Sequence, residues 1–360
     1  MTPAEPAPSR LAYLDGVRGL AIVAMVLNHT ARWWMDGHMT WPRYRLIWIT
    51  LTVAAPTFLF LVGFCLPLSL RGAPESLGAL ARKFVPRGAR VIGYGLLLNL
   101  LVLRDEPILA GGVLQTIGLA IIVMTPALWL LRFRAAPVAL LTLAVVGYVA
   151  FSLASASLPG FVARHPLVGL VLFYDFPPWP WLSLVLIGLV LGWTWLQTHR
   201  RDPAAGARWL AALTALGVVL LVAFVVYDWW AGTPVRIGLA RDFLLNRHRT
   251  PRGATLFWVF GVLFVSLGAA YWVMEVRRLR LRWLVVLGQT ALFLYFIHQA
   301  IVFVLVDQWL GWRFNEWPRF WLANAVLIVA LIGIGWAWRE IRSPLRARLT
   351  RVWRPALSAS

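Results

Sequence analysis

The sequence predicts an all-α fold, a polytopic bundle of about ten transmembrane helices. Of its 360 residues, 61% are hydrophobic and only 13% are charged, and the mean hydropathy is +0.74. A soluble domain is roughly 45–50% apolar and about 25% charged. The composition therefore excludes a disordered chain, a coiled coil and nearly all water-soluble enzymes. Cys65 is the single cysteine, which also excludes a disulfide framework.

Each predicted helix is a mostly apolar stretch of the length that crosses a bilayer, which takes about 20 residues. No internal repeat or low-complexity linker divides them, so we expect one membrane domain over residues 1–360. The predicted spans lie near residues 12–31, 46–70, 87–103, 112–131, 136–155, 179–196, 208–228, 254–274, 283–306 and 318–338.

The basic residues predict the orientation of these helices. The formal net charge is +20, and 34 residues are Lys or Arg. With the N-terminus inside, most of them fall in cytosolic loops, as in other membrane proteins. This predicts that both termini are cytosolic, with a short tail at 1–10 and a basic tail at 339–360. We expect membrane lipid, and no nucleic acid, as the partner of this charge.

The predicted outer loops are then about 32–45, 104–111, 156–178, 229–253 and 307–317. One of these loops departs from the charge pattern. Residues 229–253 contain five arginines. They are Arg236, Arg241, Arg247, Arg249 and Arg252. The loop either contacts lipid phosphates or forms an external funnel for an anionic substrate.

Charged and polar residues inside the first span indicate function, since such residues are costly in lipid. Asp15 and Arg18 are three residues apart, on one helical face, and are able to pair. Such a pair either anchors the start of the helix or belongs to a functional site. Asn28 and His29 follow less than one bilayer crossing later, so we expect at least one of these polar groups to lie at membrane depth.

Three further residues are candidates on the same grounds. His38 follows a glycine in a predicted outer loop, and a histidine there is either solvated or a general base. His298 lies inside the ninth span and makes either an interhelical hydrogen bond or part of a polar path. Asp175 precedes a span and either caps that helix or faces a substrate.

Several enzyme classes lack their motifs in this sequence. It contains no HExxH, no phosphate-binding GxxxxGK[ST] and no GxSxG, and it has few acidic residues. We therefore expect no metal cofactor.

Five stretches, taken in order, resemble bacterial relatives of heparan-alpha-glucosaminide N-acetyltransferase, within the wider group of transmembrane acyltransferases. The likeness covers most of the chain and includes weaker matches at Arg249–Pro251 and at Leu294–His298. The stretches are Leu14–Ala21 with Asn28–His29, His38–Trp41, Ala55–Gly63, Gly112–Leu119, and Pro178–Trp181 with Gly188 and Gly192.

The resemblance implies transfer of an acyl group, typically acetyl from cytosolic acetyl-CoA, to a sugar amine or hydroxyl on the other side of the membrane. It implies that the catalytic base is His38, His29 or both, with Asn28 beside them. Transfer is either direct or proceeds through an acyl-histidine. The expected location is the bacterial inner membrane, and a homodimer is compatible with the sequence.

The same resemblance implies an acyl-CoA site among the cytosolic residues Arg82, Arg87 and Arg90, although a basic inner loop also follows from orientation alone. From there, Arg18, Gln115 and His298 are expected to line a polar path. The alternative function is a transporter or flippase for a lipid-linked or anionic sugar, which the intramembrane polar residues also suit.

Overall fold

The computed structural model describes residues 11–36, 40–70, 76–155, 157–245 and 253–353, and these residues form helices with no strand among them. The predicted all-α fold is confirmed. The helices are α1 (Ala12–Trp33), α2 (Trp41–Leu68), α3 (Leu77–Leu101), α4 (Val113–Leu130), α5 (Ala136–Ala154), α6 (Leu158–Arg164), α7 (Pro166–Leu172), α8 (Pro178–Arg201), α9 (Pro203–Leu245), α10 (Gly253–Tyr271), the π-helix π1 (Trp272–Val276), α11 (Arg282–Gln289), α12 (Ala291–Gln299), the π-helix π2 (Ala300–Trp309) and α13 (Trp317–Trp353).

Eight of the described helical segments are long and apolar enough to cross a membrane. They lie in α2, α4, α5, α8, α9, α10 with π1, α12 with π2, and α13. The other two predicted spans are also helices, α1 and α3, but both carry several charged side chains. The number of ten crossings and the cytosolic position of both termini stay predictions.

The secondary structure differs in detail from the prediction in three regions. The predicted span 283–306 is interrupted at Thr290, where the backbone leaves the helical conformation between α11 and α12. The predicted loop 229–253 is helical as far as Leu245, although Gly232 and Pro234 lie within that helix. The predicted outer loop 156–178 contains the short helices α6 and α7.

Close contact between α2 and α8 depends on residues without a side chain. A Cβ atom on Gly188 would lie 2.4 Å from the carbonyl oxygen of Phe60, and one on Gly192 would lie 2.3 Å from that of Phe64. In return, a Cβ on Gly63 would lie 1.9 Å from the carbonyl oxygen of Val185. Small residues spaced four apart let two helix backbones approach in this way.

Helix α1 is fixed at both ends by the C-terminal part of the chain. Near its start, α11 passes so close that a Cβ on Gly288 would lie 1.8 Å from the carbonyl oxygen of Asp15. Near its end, the Thr30 hydroxyl donates a 2.7 Å hydrogen bond to the side-chain oxygen of Asn324 in α13. These contacts hold the polar residues of α1 at set positions inside the bundle.

We expect Gly188→Ala to lower the free energy of unfolding by about 1–3 kcal/mol, because the added methyl group overpacks the α2–α8 contact. The control is Gly333→Ala in α13, where an added Cβ meets no atom within 4 Å. Thermal unfolding of both variants in detergent measures the difference. Equal melting temperatures would contradict this account of the contact.

Candidate functional site: a histidine pair between two cavities

Two histidines from opposite ends of the chain meet inside the bundle. Nδ1 of His29, in α1, lies 2.9 Å from Nε2 of His298, in α12. The two rings are nearly parallel, with 4° between their planes and 5.1 Å between their centroids. Phe303 and Trp33 flank the His29 ring. This apolar packing restricts the orientation of the imidazole.

The backbone carbonyl of Leu294 determines which nitrogens of the two histidines carry a hydrogen. Nδ1 of His298 lies 2.9 Å from the carbonyl oxygen of Leu294, which is only able to accept, so Nδ1 carries the hydrogen. In the neutral state, Nε2 of His298 is then an acceptor, and Nδ1–H of His29 donates to it. Nε2 of His29 consequently holds a lone pair. The pair is arranged to make His29 a base.

The His29 ring lines a cavity of about 180 Å³. We call it the histidine cavity. Asn28 also lines it, and its side-chain nitrogen donates to the Ile47 carbonyl oxygen at 2.9 Å and to the Thr50 hydroxyl at 3.2 Å. These two hydrogen bonds of Asn28 therefore fix α1 against α2. His298 is fully buried behind His29 and lines neither this cavity nor the next.

Both signs of charge reach the histidine cavity. Arg32, Glu106 and Asp175 all line it, and Asp175 is close enough to Arg32 to interact with it electrostatically. Tyr174 donates a hydrogen bond to Glu106. Asp175 does not cap α8, whose N-cap residue is Pro177. The cavity thus offers groups that suit a polar ligand beside the His29 base.

A second cavity, of about 590 Å³, lies next to the first. We call it the arginine cavity because Arg18, Arg87, Arg90 and Arg342 line it. Its volume lies in the range of cofactor and ligand sites. Four cationic side chains around it favour a ligand that carries several negative charges.

The two cavities meet at shared walls. Phe58, Val113, Leu114 and Tyr295 line both of them. At these positions a single side chain therefore separates the two cavities.

Arg18 is held in place by a buried carboxylate. Its guanidinium donates to Oδ1 of Asp15 at 2.8 Å, and the Asp15 side chain is 4% exposed. Gln289 of α11 donates to Oδ2 of the same carboxylate at 3.0 Å. Arg18 also contacts the Cys65 sulfur at 3.6 Å. The Asp15–Arg18 pair thus fixes one arginine of the cavity and joins α1 to α11.

Comparison with known proteins identifies the family of this chain. The sequence profile of the heparan-alpha-glucosaminide N-acetyltransferase catalytic family matches residues 10–229. The chain belongs to this family. Membership identifies a membrane acetyltransferase. A search of curated proteins gives no significant match.

The part of this acetyltransferase that matches the family contains His29 but not its partner. His298 and Arg342 lie beyond residue 229, as do Tyr295, Gln299 and Phe303, so the C-terminal part of the chain contributes to the walls of both cavities.

The remaining residues predicted for the site of this acetyltransferase are spread more widely. Gln115 lines the histidine cavity, where its side-chain oxygen accepts from the Gly112 amide and its nitrogen donates to the Ala110 carbonyl. Arg82 is exposed and lines neither cavity. His38 lies outside the described residues, as do Arg247, Arg249 and Arg252.

Sequence reasoning missed several lining residues. Glu106, Arg32 and Asn99 of the histidine cavity were not predicted, nor was Arg342 of the arginine cavity. Glu106 sits in the predicted outer loop 104–111, where an acidic residue is ordinary. Arg342 was part of the basic tail, and only the continuous helix α13 brings it to the cavity. In the described part of the chain, no group of three His, Cys, Asp or Glu side chains is placed to hold a metal ion.

We expect Asp15→Asn to lower the free energy of unfolding by about 1.5–3 kcal/mol, because Arg18 loses a charged hydrogen-bond partner in a largely buried setting. The control is Asp202→Asn. Asp202 pairs with Arg208 at the surface, with 49% and 72% of the two side chains exposed, and an exposed pair contributes less than about 1 kcal/mol. Thermal unfolding in detergent compares the two. A larger effect at Asp202 would refute the structural role of Asp15.

Proposed function

We propose that this protein transfers an acetyl group from cytosolic acetyl-CoA to an amine or hydroxyl of a sugar on the opposite face of a bacterial inner membrane. The observation that carries the proposal is the His29–His298 pair: His29 lines one cavity, and single side chains separate that cavity from a second, arginine-lined cavity. Membership of an acetyltransferase family supports the reaction type.

In this proposal the arginine cavity receives the donor. The phosphate groups of CoA are multiply charged anions, and Arg87, Arg90 and Arg342 supply the guanidinium groups that bind phosphate well. The positive-inside rule puts these arginines on the cytosolic side, where acetyl-CoA is found. The thioester end of the donor then points to the shared wall at Phe58 and Tyr295.

The histidine cavity receives the sugar acceptor. Nε2 of His29 removes the proton from the acceptor amine or hydroxyl as its nitrogen or oxygen attacks the acetyl carbonyl carbon. The carbon–sulfur bond breaks, and CoA leaves as a thiolate that takes up a proton. His298 accepts from Nδ1–H of His29 throughout and stabilises the imidazolium, as an orienting group does in other histidine-based sites. An acyl-histidine intermediate on His29 is the alternative route.

We expect His29→Ala to reduce acetyl transfer at least about 100-fold, which is the usual contribution of a general base. His298→Ala is expected to reduce it less, about 10-fold or more, because His29 stays present but loses its orienting partner. The matched control is His165→Ala, since His165 is exposed and lines neither cavity. The assay measures release of CoA thiol from acetyl-CoA with purified protein and a sugar-amine acceptor.

Full activity in both the His29 and His298 variants would overturn the site assignment. Sugar movement across vesicles without any CoA release would instead favour a transporter or flippase, which two adjoining polar cavities would also suit.

We expect Arg87→Gln and Arg90→Gln each to raise KM for acetyl-CoA by about 10-fold, with a smaller effect on kcat, because each removes one charge-assisted contact with a phosphate. Arg82→Gln is the matched control on the same helix, because Arg82 lines neither cavity. Steady-state kinetics at varied acetyl-CoA gives the comparison. An equal rise in KM for all three variants would mean that the effect is one of general surface charge.

A further inference from the structure

A third cavity, of about 420 Å³, lies at the start of α11. We call it the α11 cavity. Arg280, Arg282 and Arg339 line it together with Gln289 and Trp336. In the part of the chain that the structure describes, none of these three arginines is in an ion pair with an acidic side chain. The cavity is therefore a concave site with three positive charges, none of them in an ion pair with a described acidic side chain.

The backbone adds to this positive potential. Helix α11 begins at Arg282, and no side chain caps its N-terminus at Leu281. The first N–H groups of a helix carry a partial positive charge and attract anions, phosphate above all. Leu281 and Arg282 both line the cavity, so this helix end faces the same space as the guanidinium groups.

Apolar groups beside the arginines indicate the source of the anion. Leu279 lines the cavity and is 56% exposed, and Trp336 lines it and is 39% exposed. The guanidinium of Arg339 lies 5.6 Å from the centroid of the Trp336 ring. Basic groups mixed with exposed tryptophan and leucine are typical of the level of lipid headgroups. Inorganic phosphate has no apolar part that would contact Leu279 and Trp336, whereas a lipid has.

We propose that the α11 cavity binds the phosphate group of an anionic membrane lipid. The guanidinium groups of Arg280, Arg282 and Arg339 contact the phosphate oxygens, and the lipid chains lie against Leu279 and Val285. The proposal goes beyond the acetyl-transfer reaction and does not depend on it, because lipid binding is measured without substrate.

The test is titration of a short-chain phosphatidylglycerol into the full-length protein in a neutral detergent, with binding followed by native mass spectrometry and by the melting temperature. The double variant Arg280→Gln/Arg339→Gln removes two of the three charges. Each basic residue near an anionic lipid surface contributes about 1 kcal/mol, so we expect the apparent affinity to fall about 25-fold. The single variant Arg280→Gln is expected to lose about 5-fold.

The control double variant Arg82→Gln/Arg201→Gln removes the same charge from exposed positions that do not line the cavity, and it is expected to bind as the wild type does. Equal losses in the two double variants would overturn the proposal. Two further titrations identify the source. Phosphatidylcholine of the same chain length and inorganic phosphate are both expected to bind at least about 10-fold more weakly; equal binding of inorganic phosphate would overturn a lipid ligand.

Discussion

The hydrogen bond between His29 and His298 joins the first helix to the C-terminal third of the chain, and the candidate site depends on it. The Leu294 carbonyl assigns the proton on His298, and that proton in turn determines which nitrogen of His29 is basic. In an apolar interior such a chain of donors and acceptors has few alternatives, since an unpaired polar group there is costly. The Leu294 carbonyl thus determines, through the tautomer of His298, which nitrogen of His29 is the base.

The polar residues of the bundle have two roles: some join helices and others line cavities. Some of them hold helices together, as Asp15 does through Arg18 and Gln289, and as Asn28 does through Ile47 and Thr50. Others face cavities. Arg18 does both, because Asp15 holds it and its guanidinium lines the arginine cavity. A charged group inside the bundle needs a partner of opposite charge, and in α1 Asp15 supplies one to Arg18 one turn away.

Local sequence pattern was enough to predict the fold class and the approximate position of each long helix, because the length of an apolar stretch is itself the signal. It also indicated Asp15, Arg18, His29 and His298 as unusual, since ionisable residues stand out in such stretches. It could not show that His29 meets His298, because 269 positions separate them and no periodicity relates the two. Glu106 was missed for the same reason: only the fold turns that ordinary loop residue toward the cavity. The break at Thr290 has no proline or glycine at that position to predict it.

Helix α13 runs without interruption from Trp317 to Trp353 and extends past the predicted membrane boundary. Arg339 and Arg342 are three residues apart on it, and the first lines the α11 cavity while the second lines the arginine cavity. Because one continuous helix carries Arg339 and Arg342, a small tilt or rotation of its end would shift the two guanidinium groups together. The end of α13 therefore belongs to the walls of two cavities at once, and its position affects the shape of both.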